Sequence, residues 1–291
     1  MSSTNLSRAF PEMPAVRLAY NPGPCQTYKP FENPDAPALL VSYVYLDGFL
    51  KHRAKYCFRD WVLDSGAFSA HNSGKVINLQ AYIDTAKRLI ETDGKLVEVF
   101  ALDVIGDAKA SLVNCEEMWR QGVEAIPTFH EGEPQEFLKH IAENYPKIAI
   151  GGVAHRRGLG KMKFANQVFA RVWPKKIHGF GFGTDADILA LPWHSVDATN
   201  WEIGPCAFGQ WKKFGKMSVR GSNQNLRSQV EWYLDLERRA RVRWKKEMAQ
   251  LEAMEFPVVR RAAQQAALIP PPEVRLAYHP EGGRSLTPPQ A

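Results

Sequence analysis

Short apolar runs that each end in an acid or a glycine pair recur along the chain and constrain its fold more than any other feature. They cover residues 61–64, 99–103, 148–152 and 193–197. In a repeating βα chain such runs are buried strands, and the residues that end them lie at the strands' carboxyl ends. We therefore expect three acids and two glycines to converge on one mouth, namely Asp64, Asp103, Asp197, Gly151 and Gly152.

The stretches between these runs have helical spacing, so strands alternate with helices. Strands are predicted at residues 39–46, 61–63, 96–102, 125–129, 147–150, 177–182 and 195–197. Helices are predicted at residues 79–92, 134–145, 162–173, 185–191 and 226–255, together with one that Asp107 caps and that runs to residue 121. This alternation predicts an α/β protein with a parallel sheet.

A closed (β/α)8 TIM barrel is favoured over the alternative, an open doubly wound sheet. The first strand is not followed by the Gly-x-Gly-x-x-Gly opening that dinucleotide-binding sheets carry. Polar residues also follow many of the predicted strands, as the common mouth of a barrel requires. The predicted barrel carries a basic aromatic loop and a long C-terminal helix.

Three segments are predicted from composition. Residues 1–37 are an N-terminal extension, residues 38–256 are the barrel with its basic insertion and helix, and residues 257–291 are a tail rich in Pro, Ala and Gln. The sequence Val-Arg-Leu-Ala-Tyr occurs at residues 16–20 and again at 274–278. Either this recurrence is chance, or both ends dock as similar extended segments.

Positive charge is concentrated in one part of the chain. The whole chain has a net charge of +6, whereas residues 212–246 carry 11 Lys and Arg against three acids. In residues 201–223 the aromatic residues 201, 208, 211 and 214 alternate with four cations, a pattern that suits a nucleic-acid strand or, equally, a loop packed on the barrel. The predicted contacts to nucleic acid are Lys212, Lys213, Lys216 and Arg220 in the loop, and Arg238, Arg239, Arg241 and Arg243 in the helix. A solvated helix face is the alternative for the second group.

Other function classes find little support in the sequence. The four cysteines are scattered, and no set of His, Cys and Asp has the spacing of a metal site, so we expect no metal and no cofactor. The first ten residues lack a signal-peptide core, and no apolar run approaches the length of a membrane span. We therefore expect a soluble cytoplasmic protein with no membrane partner.

Four of these motifs resemble those of the tRNA-guanine transglycosylases. Asp64-Ser-Gly-Ala-Phe68 is similar to that family's Asp-Ser-Gly-Gly-Phe/Tyr signature, and Leu102-Asp103 falls at its Phe-Asp-Glu stretch. The segment 151–154, Gly-Gly-Val-Ala, resembles its Gly-Gly-Leu-Ala, and residues 179–184 resemble its Gly-Val-Gly-Thr. The resemblance runs in order over residues 60–200. It implies a (β/α)8 barrel that exchanges guanine for a deazaguanine in a polynucleotide.

The departures from that family carry information about the substrate. The closely spaced cysteines of its zinc site are absent, since only Cys206 lies beyond residue 200. The family's Val-Asp-x-Phe-Asp stretch reads Val196-Asp-Ala-Thr-Asn200, so Asp197 is the one local carboxylate. A short barrel without zinc is more similar to the phage DNA transglycosylases, which place deazaguanines such as preQ0 in viral DNA. The expected substrate is DNA in a host cytoplasm, with tRNA as the alternative.

The chemistry of base exchange assigns roles to the converging residues. A carboxylate must attack the anomeric carbon of the sugar, and a second carboxyl must move protons on the leaving and arriving bases. We expect Asp197 to be the nucleophile, Asp64 the general acid/base, and Asp103 the acceptor of two N–H groups of guanine. The resemblance implies further base contacts from Ser65, Phe68, His130, Gly151, Gly152, Val153 and Phe180.

Three rival functions remain open on sequence. The first is a tRNA-guanine transglycosylase that lacks the zinc site. The second is a non-catalytic nucleic-acid-binding barrel, an alternative that stays open because residue 200 is Asn where the resembled family has an acid. The third is a small-molecule barrel enzyme, such as a lyase or a glycosidase, whose basic region is merely solvated surface.

Overall fold

The structure is a computed structural model, and it describes residues 14–20, 36–153, 159–212, 215–216 and 223–253. Eight parallel strands form one sheet within these residues. They are β1 (Ala15–Ala19), β2 (Ala38–Ser42), β3 (Trp61–Asp64), β4 (Leu96–Val99), β5 (Thr128–His130), β6 (Lys147–Gly151), β7 (Lys176–Gly179) and β8 (Ser195–Ala198). The helices are α1 (Leu46–His52), α2 (Ala67–Asn72), α3 (Leu79–Thr92), α4 (Ala108–Arg120), α5 (Gln135–Asn144), α6 (Leu159–Val172), α7 (Asp185–Ala190), α8 (Asn200–Phe208), α9 (Asn223–Arg243) and α10 (Lys245–Ala253).

The order of the strands is β4-β3-β2-β1-β8-β7-β6-β5, and every hydrogen-bonded pair is parallel. Strands that follow one another in the chain are neighbours in the sheet, apart from β4 and β5 at its two ends. From β2 onward, helices lie between consecutive strands, as in a repeating βα chain. The sequence prediction of an α/β protein with a parallel sheet is confirmed.

The two faces of the sheet bury different apolar clusters because side chains alternate along each strand. Alternate residues such as Leu39, Leu63 and Ile148 pack against the helices in the main core. Their neighbours Leu40 and Val62, together with residues 100, 126 and 149, form a separate inner cluster. Strands far apart in the sheet order, β2 and β6, contribute to this inner cluster, so the sheet curls around it.

A buried polar cluster lies beside this inner apolar cluster. Arg17 on β1 is fully buried and donates a 2.6 Å hydrogen bond to Asp60. Glu98 on β4 contacts Lys147 and accepts a 3.1 Å contact from His194 Nε2. Burial by itself raises the pKa of Glu98, but Lys147 and His194 outweigh it and hold that pKa well below its usual range. These opposite charges are paired in the interior, although Arg17 Nε and Nη2 and Glu98 Oε2 have no hydrogen-bond partner among the described residues. His194 lies within this cluster and has a structural role.

Several predicted elements match the structure closely. The helix predicted at residues 79–92 is α3, and the Asp107 side chain accepts from the amide of Ala110 as the N-cap of α4. Residues 43–46, predicted as the end of a strand, instead form a short 3-10 helix and the start of α1. The single helix predicted at 226–255 is two helices, α9 and α10, that meet at Trp244.

The N-terminal boundary predicted at residue 38 does not bound the sheet. β1 lies between β2 and β8, with Arg17 opposite Ala38 on one side and Asp197 on the other. The described sheet therefore includes Ala15–Ala19, a buried five-residue strand within a Pro- and Asn-rich segment. The predicted tail and the second copy of Val-Arg-Leu-Ala-Tyr lie outside the described residues.

None of the helices in the described ranges combines the length and the apolar character needed to cross a membrane.

Candidate active site

Three acids from different strands meet at the carboxyl edge of the sheet. Asp64 is the last residue of β3, Asp103 follows β4, and Asp197 is the third residue of β8. The charges of Asp103 and Asp197 both raise the pKa of Asp64, so the three carboxyl groups interact. The convergence expected from the sequence is thus present in the fold.

Asp64 is the acid in this cluster that most readily keeps a proton. Burial, followed by the charge of Asp103, raises the pKa of Asp64 to about 7, although a 3.1 Å hydrogen bond from the Gly66 amide opposes the rise. Gly66 has φ of 75°, and a Cβ there would lie 2.7 Å from Ser42 Oγ. The turn that presents Asp64 therefore requires glycine. The Ser65 hydroxyl accepts a 3.4 Å hydrogen bond from Ala67 in the same turn.

Asp197 is held more firmly as an anion. Burial raises its pKa to about 6, while a hydrogen bond from the Gly181 amide and the charge of Lys161 limit the rise. The Gly181 N–H lies 2.7 Å from Asp197 Oδ1. Lys161 on α6 is buried and donates to the Gly181 carbonyl at 2.8 Å and to Asp187 at 2.6 Å. The turn after β7 is thus held by Asp197 through the Gly181 amide and by Lys161 through the Gly181 carbonyl.

Asn200, which the resemblance to the transglycosylases sets against their second acid, lies differently. It is exposed in the first turn of α8, whereas Asp197 is buried within β8. The strand therefore presents Asp197, and not residue 200, to the acid cluster.

His130 at the end of β5 lies between two carboxylates. Its Nε2 is 3.5 Å from Asp103 Oδ2, and its Nδ1 is 3.2 Å from Glu133 Oε1. Burial lowers the pKa of His130, but the hydrogen bonds to Asp103 and Glu133 outweigh burial and raise it to about 10. His130 is therefore an imidazolium at neutral pH.

One carboxylate oxygen of Asp103 is an unpaired acceptor within the part of the chain that the structure describes. Burial raises the pKa of Asp103, and His130 opposes the rise. Asp103 Oδ1 is buried and has no hydrogen-bond partner among the described residues. The Thr128 hydroxyl lies near enough to lower the pKa of Asp103, but it does not meet the carboxylate in hydrogen-bonding geometry. A buried carboxylate oxygen left in this state favours a ligand that brings an N–H or O–H donor.

The glycine pair at the end of β6 forms the next part of the edge. Gly152 has φ of 76°, and a Cβ there would lie 3.0 Å from the Glu131 amide and 3.1 Å from His130 Cβ. The Gly151 carbonyl accepts a 3.1 Å hydrogen bond from Glu131 N. Glycine is thus needed for the β5 and β6 ends to approach each other, and the side chain of Val153 packs in the core.

The two phenylalanines predicted to stack on a base differ in exposure. Phe180 is partly buried and packs against the inner cluster, with its ring 4.7 Å from Phe100 and 4.5 Å from His178. Phe68 on α2 is 59 % exposed, an unusual exposure for a phenylalanine and one that leaves its ring available to a ligand. Phe180 is therefore fixed by packing, and Phe68 is free to contact a partner.

Those predicted nucleic-acid contacts whose side chains the structure describes do not lie together. Lys212 Nζ lies 2.5 Å from Asp185, at the start of α7. Lys213 and Arg220 lie outside the described residues, as does the side chain of Lys216. The Arg238–Arg243 segment of α9 lies at the opposite edge of the sheet, because Arg241 Nε donates to the Pro14 carbonyl just before β1. These arginines therefore do not flank the acid cluster.

Arg241 has a structural role that the sequence did not indicate. It lies 2.6 Å from Glu237, which also accepts a 2.8 Å hydrogen bond from the Val16 amide of β1. The other three arginines line a groove of about 490 Å³, whose lining residues are Leu189, Asp235, Arg238, Arg239, Val242 and Arg243. Arg238 and Arg239 are exposed and share Asp235 at 3.4 and 3.9 Å.

Two aromatic residues of the basic insertion pack inward. Trp201 and Trp211 are buried, and Trp201 Nε1 donates a 2.9 Å hydrogen bond to the Ala19 carbonyl. For these two rings the packed-loop interpretation is confirmed, and base stacking on them is excluded by burial.

Glu133 and Lys161 are site residues that sequence reasoning missed. Glu133 follows His130 by three residues in a turn, a spacing that allows contact but is common in loops. Lys161 lies on the buried face of α6, where periodicity predicts an apolar side chain. Only the fold shows that both support residues at the strand ends.

The described parts of the chain contain no group of three or more His, Cys, Asp and Glu arranged to hold a metal ion. A scan against models of known protein families finds no match to the chain, and no curated protein matches it significantly.

Proposed function

We propose that this protein is a DNA-guanine transglycosylase that exchanges guanine in DNA for a 7-deazaguanine such as preQ0. The observation that carries the proposal is the acid cluster, in which Asp64 ends β3 and Asp197 lies in β8 at the same edge of the sheet. Burial raises the pKa of both groups, to about 7 for Asp64 and about 6 for Asp197. One carboxyl that holds a proton near neutrality and one that is ionised are what acid-assisted attack on a glycosidic bond requires. The resemblance to the transglycosylases supports the same chemistry.

We extend the proposal to the fold, as a closed (β/α)8 barrel. The support is a parallel bridge between Phe100 and Ile126, which follow β4 and precede β5, the two end strands of the sheet. Backbone hydrogen bonds of 2.9 Å run from Ile126 N to the Val99 carbonyl and from Ala101 N to the Ile126 carbonyl. Closure at this point gives the acids one common mouth.

In the first step, a carboxylate oxygen of Asp197 attacks C1′ of the deoxyribose. The C1′–N9 bond breaks, its electron pair leaves with guanine, and Asp64 donates its proton to the departing base. The products are a covalent aspartyl-deoxyribosyl enzyme and free guanine. The Gly181 hydrogen bond to Asp197 fixes the attacking group.

In the second step, the incoming deazaguanine loses its N9 proton to the Asp64 carboxylate. Its N9 attacks C1′, the ester bond to Asp197 breaks, and the carboxylate leaves. Both acids return to their starting states, so the exchange is balanced and needs no cofactor.

The base is recognised by residues that follow β3 to β7. Asp103 accepts the ring N–H and the exocyclic amino group, which occupy the oxygen that has no partner. Gly152 and its neighbours contact the carbonyl side, and Phe68 and Phe180 cover the faces of the ring. A base in duplex DNA must leave the stack to reach this mouth, which calls for flipping or a single-stranded stretch.

Base exchange followed by mass spectrometry tests the proposal. The purified protein receives duplex DNA, single-stranded DNA or tRNA with preQ0, and each nucleic acid is then digested to nucleosides. A deazaguanine deoxynucleoside from DNA is the expected result. Product from tRNA alone would assign the protein to the tRNA enzymes, and tight binding without product would favour a non-catalytic binding barrel.

A further inference from the structure

Glu133, His130 and Asp103 form a continuous chain of charged groups that ends at the site. Glu133 Oε2 accepts a 2.7 Å hydrogen bond from the His130 amide, and its Oε1 lies 3.2 Å from the His130 ring at Nδ1. The other ring nitrogen faces Asp103 Oδ2 at 3.5 Å. The side chains of Glu133 and Asp103 are 10 % and 12 % exposed, so solvent screens this chain only weakly.

This geometry fixes the charge and the orientation of the imidazole ring. A ring whose two nitrogens both face carboxylates donates from both, and it then carries two protons and a positive charge. Glu133 contacts both the backbone amide and the ring of His130, so the ring cannot rotate without breaking one of these contacts. The ring therefore presents Nε2–H to one oxygen of Asp103.

The other oxygen of Asp103 is left as an acceptor. It is buried and has no hydrogen-bond partner among the described residues. The backbone of Gly151 and Gly152 at the end of β6 also approaches His130 and brings no charge. Asp64 and Asp197 interact with each other in the same acid cluster, and Asp103 also acts on Asp64. A carboxylate held in this way can accept hydrogen bonds from a ligand and has none to donate.

We propose that Glu133 is a positioning residue that, through His130, keeps Asp103 an acceptor-only carboxylate and so selects bases with two adjacent N–H donors. This inference rests on the proposed function, because it assigns the selectivity of the same site. Guanine and 2-amino deazaguanines carry both donors. Hypoxanthine lacks the amino group, and the site discriminates against it.

The charge on the imidazole is measured first, without reference to activity. The 15N chemical shifts of the His130 ring distinguish imidazolium from neutral imidazole at pH 7.5. We expect imidazolium in the wild-type protein and in Glu133→Asp, and a neutral ring in Glu133→Gln, whose amide donates to Nδ1. Glu136→Gln removes an exposed carboxylate of α5 and is the matched control. An unchanged imidazolium in Glu133→Gln would overturn the proposal.

Equilibrium binding of free guanine and free hypoxanthine then tests selectivity. We expect the wild-type protein to prefer guanine by about 10- to 100-fold, the range for one hydrogen bond to a charged group. Glu133→Gln should lose about tenfold in guanine affinity and little for hypoxanthine, whereas Glu133→Asp should restore the preference. Equal losses for both bases would contradict a role in selectivity. If neither base bound the wild-type protein, the proposed function and this selectivity would both fail. The 15N shifts of the His130 ring would still show whether Glu133 controls the charge of His130.

A double-mutant cycle separates positioning from loss of fold. In a His130→Gln background the link between Glu133 and Asp103 is broken, so adding Glu133→Gln should not lower guanine affinity further. An additional loss of the same size as in the wild-type background would show that Glu133 acts without His130. Circular dichroism and thermal unfolding of each variant identify any that do not fold.

Discussion

The amide of Gly181 in the turn after β7 donates a 2.7 Å hydrogen bond to Asp197 in β8, so the Asp197 carboxylate connects the ends of two neighbouring strands. The carbonyl of the same glycine accepts from Lys161, whose buried ammonium group also contacts Asp187. The Asp197 carboxylate is therefore oriented by a turn that is itself anchored. A carboxylate that must attack one carbon atom gains from such fixation, since its rotation is restricted before the substrate arrives.

Replacing Asp197 by Asn should abolish base exchange while leaving DNA binding intact. An amide is a poor nucleophile towards C1′, and we expect the rate to fall at least ~10³-fold, a loss typical of a missing nucleophile. Denaturing gels with labelled DNA should trap the covalent complex with the wild-type protein and none with this variant. Asn200→Ala is the control and should retain exchange, because Asn200 is exposed on α8. Full activity in Asp197→Asn would remove Asp197 from the mechanism.

The rate of exchange should depend on pH in a bell shape with its maximum between about 6 and 7. Asp197 must be ionised, and its pKa of about 6 sets the acid limb, below which protonation removes the nucleophile. Asp64 must hold a proton for the departing base, and its pKa of about 7 sets the alkaline limb. Steady-state rates with saturating DNA from pH 4.5 to 9 measure both limbs. A rate that stays flat up to pH 9 would exclude Asp64 as the acid.

The location of the acids follows from sequence because parallel strands impose it. Each apolar run that ends in Asp or Gly-Gly is long enough to be a strand, and the carboxyl ends of parallel strands share one edge. Asp64, Asp103, Asp197 and Gly152 were predicted at this edge on that basis, and the fold brings them there.

The supporting residues do not follow from sequence, since their roles depend on contacts between distant elements. The role of Lys161 depends on the packing of α6 against the turn after β7, where it donates to the Gly181 carbonyl. In the sequence, Arg241 belongs to a basic helix face. In the fold its guanidinium donates to Glu237, one turn earlier, and to the Pro14 carbonyl before β1. Period and composition carry no information about such tertiary pairs, so the sequence could not place these arginines relative to the acid cluster.

Replacing Asp64 by Asn should stabilise the protein at pH 8 and not at pH 3.5. A carboxyl whose pKa rises from 3.8 to about 7 on folding binds more protons when folded, so its burial costs stability as the pH rises through that window. Asn has no charge to bury, and we expect a gain of about 2 to 4 kcal/mol in the free energy of unfolding above pH 7. Urea denaturation at both pH values measures it. The exposed Asp84→Asn on α3 is the control, and equal gains at the two pH values would refute the linkage.

Replacing Glu237 by Ala should destabilise the protein strongly. Glu237 is 3 % exposed and joins α9 to β1 through the Val16 amide, and it also pairs with Arg59 at 2.9 Å and with Arg241. Removing it takes a buried shared carboxylate away from Arg59 and Arg241 and an acceptor away from the Val16 amide, for which we expect a loss of about 3 kcal/mol. Glu231→Ala breaks an exposed pair on the same helix and should cost less than about 1 kcal/mol. Equal midpoints of urea denaturation for the two variants would show that the Glu237 cluster contributes little.

The three arginines of the groove provide the test of nucleic-acid binding away from the acid cluster. Arg238, Arg239 and Arg243 line this groove, whereas Arg241 is committed to Glu237 and is left unchanged. If the DNA backbone reaches the groove, changing the three to Gln removes up to three phosphate contacts. The slope of log affinity against log salt should then fall by about 2 to 3, because each phosphate contact contributes about 0.9.

The matched control changes three exposed cations on other helices, Lys87, Arg88 and Lys139, to Gln. Both triple variants lose the same net charge, so a general electrostatic effect would lower the two slopes equally. A fall confined to the groove variant would place the DNA backbone on α9. Exchange at saturating DNA should persist in that variant, since the groove lies at the edge of the sheet opposite Asp197. Unchanged slopes in both variants would leave the arginines as a solvated helix face and move the binding surface to the other edge.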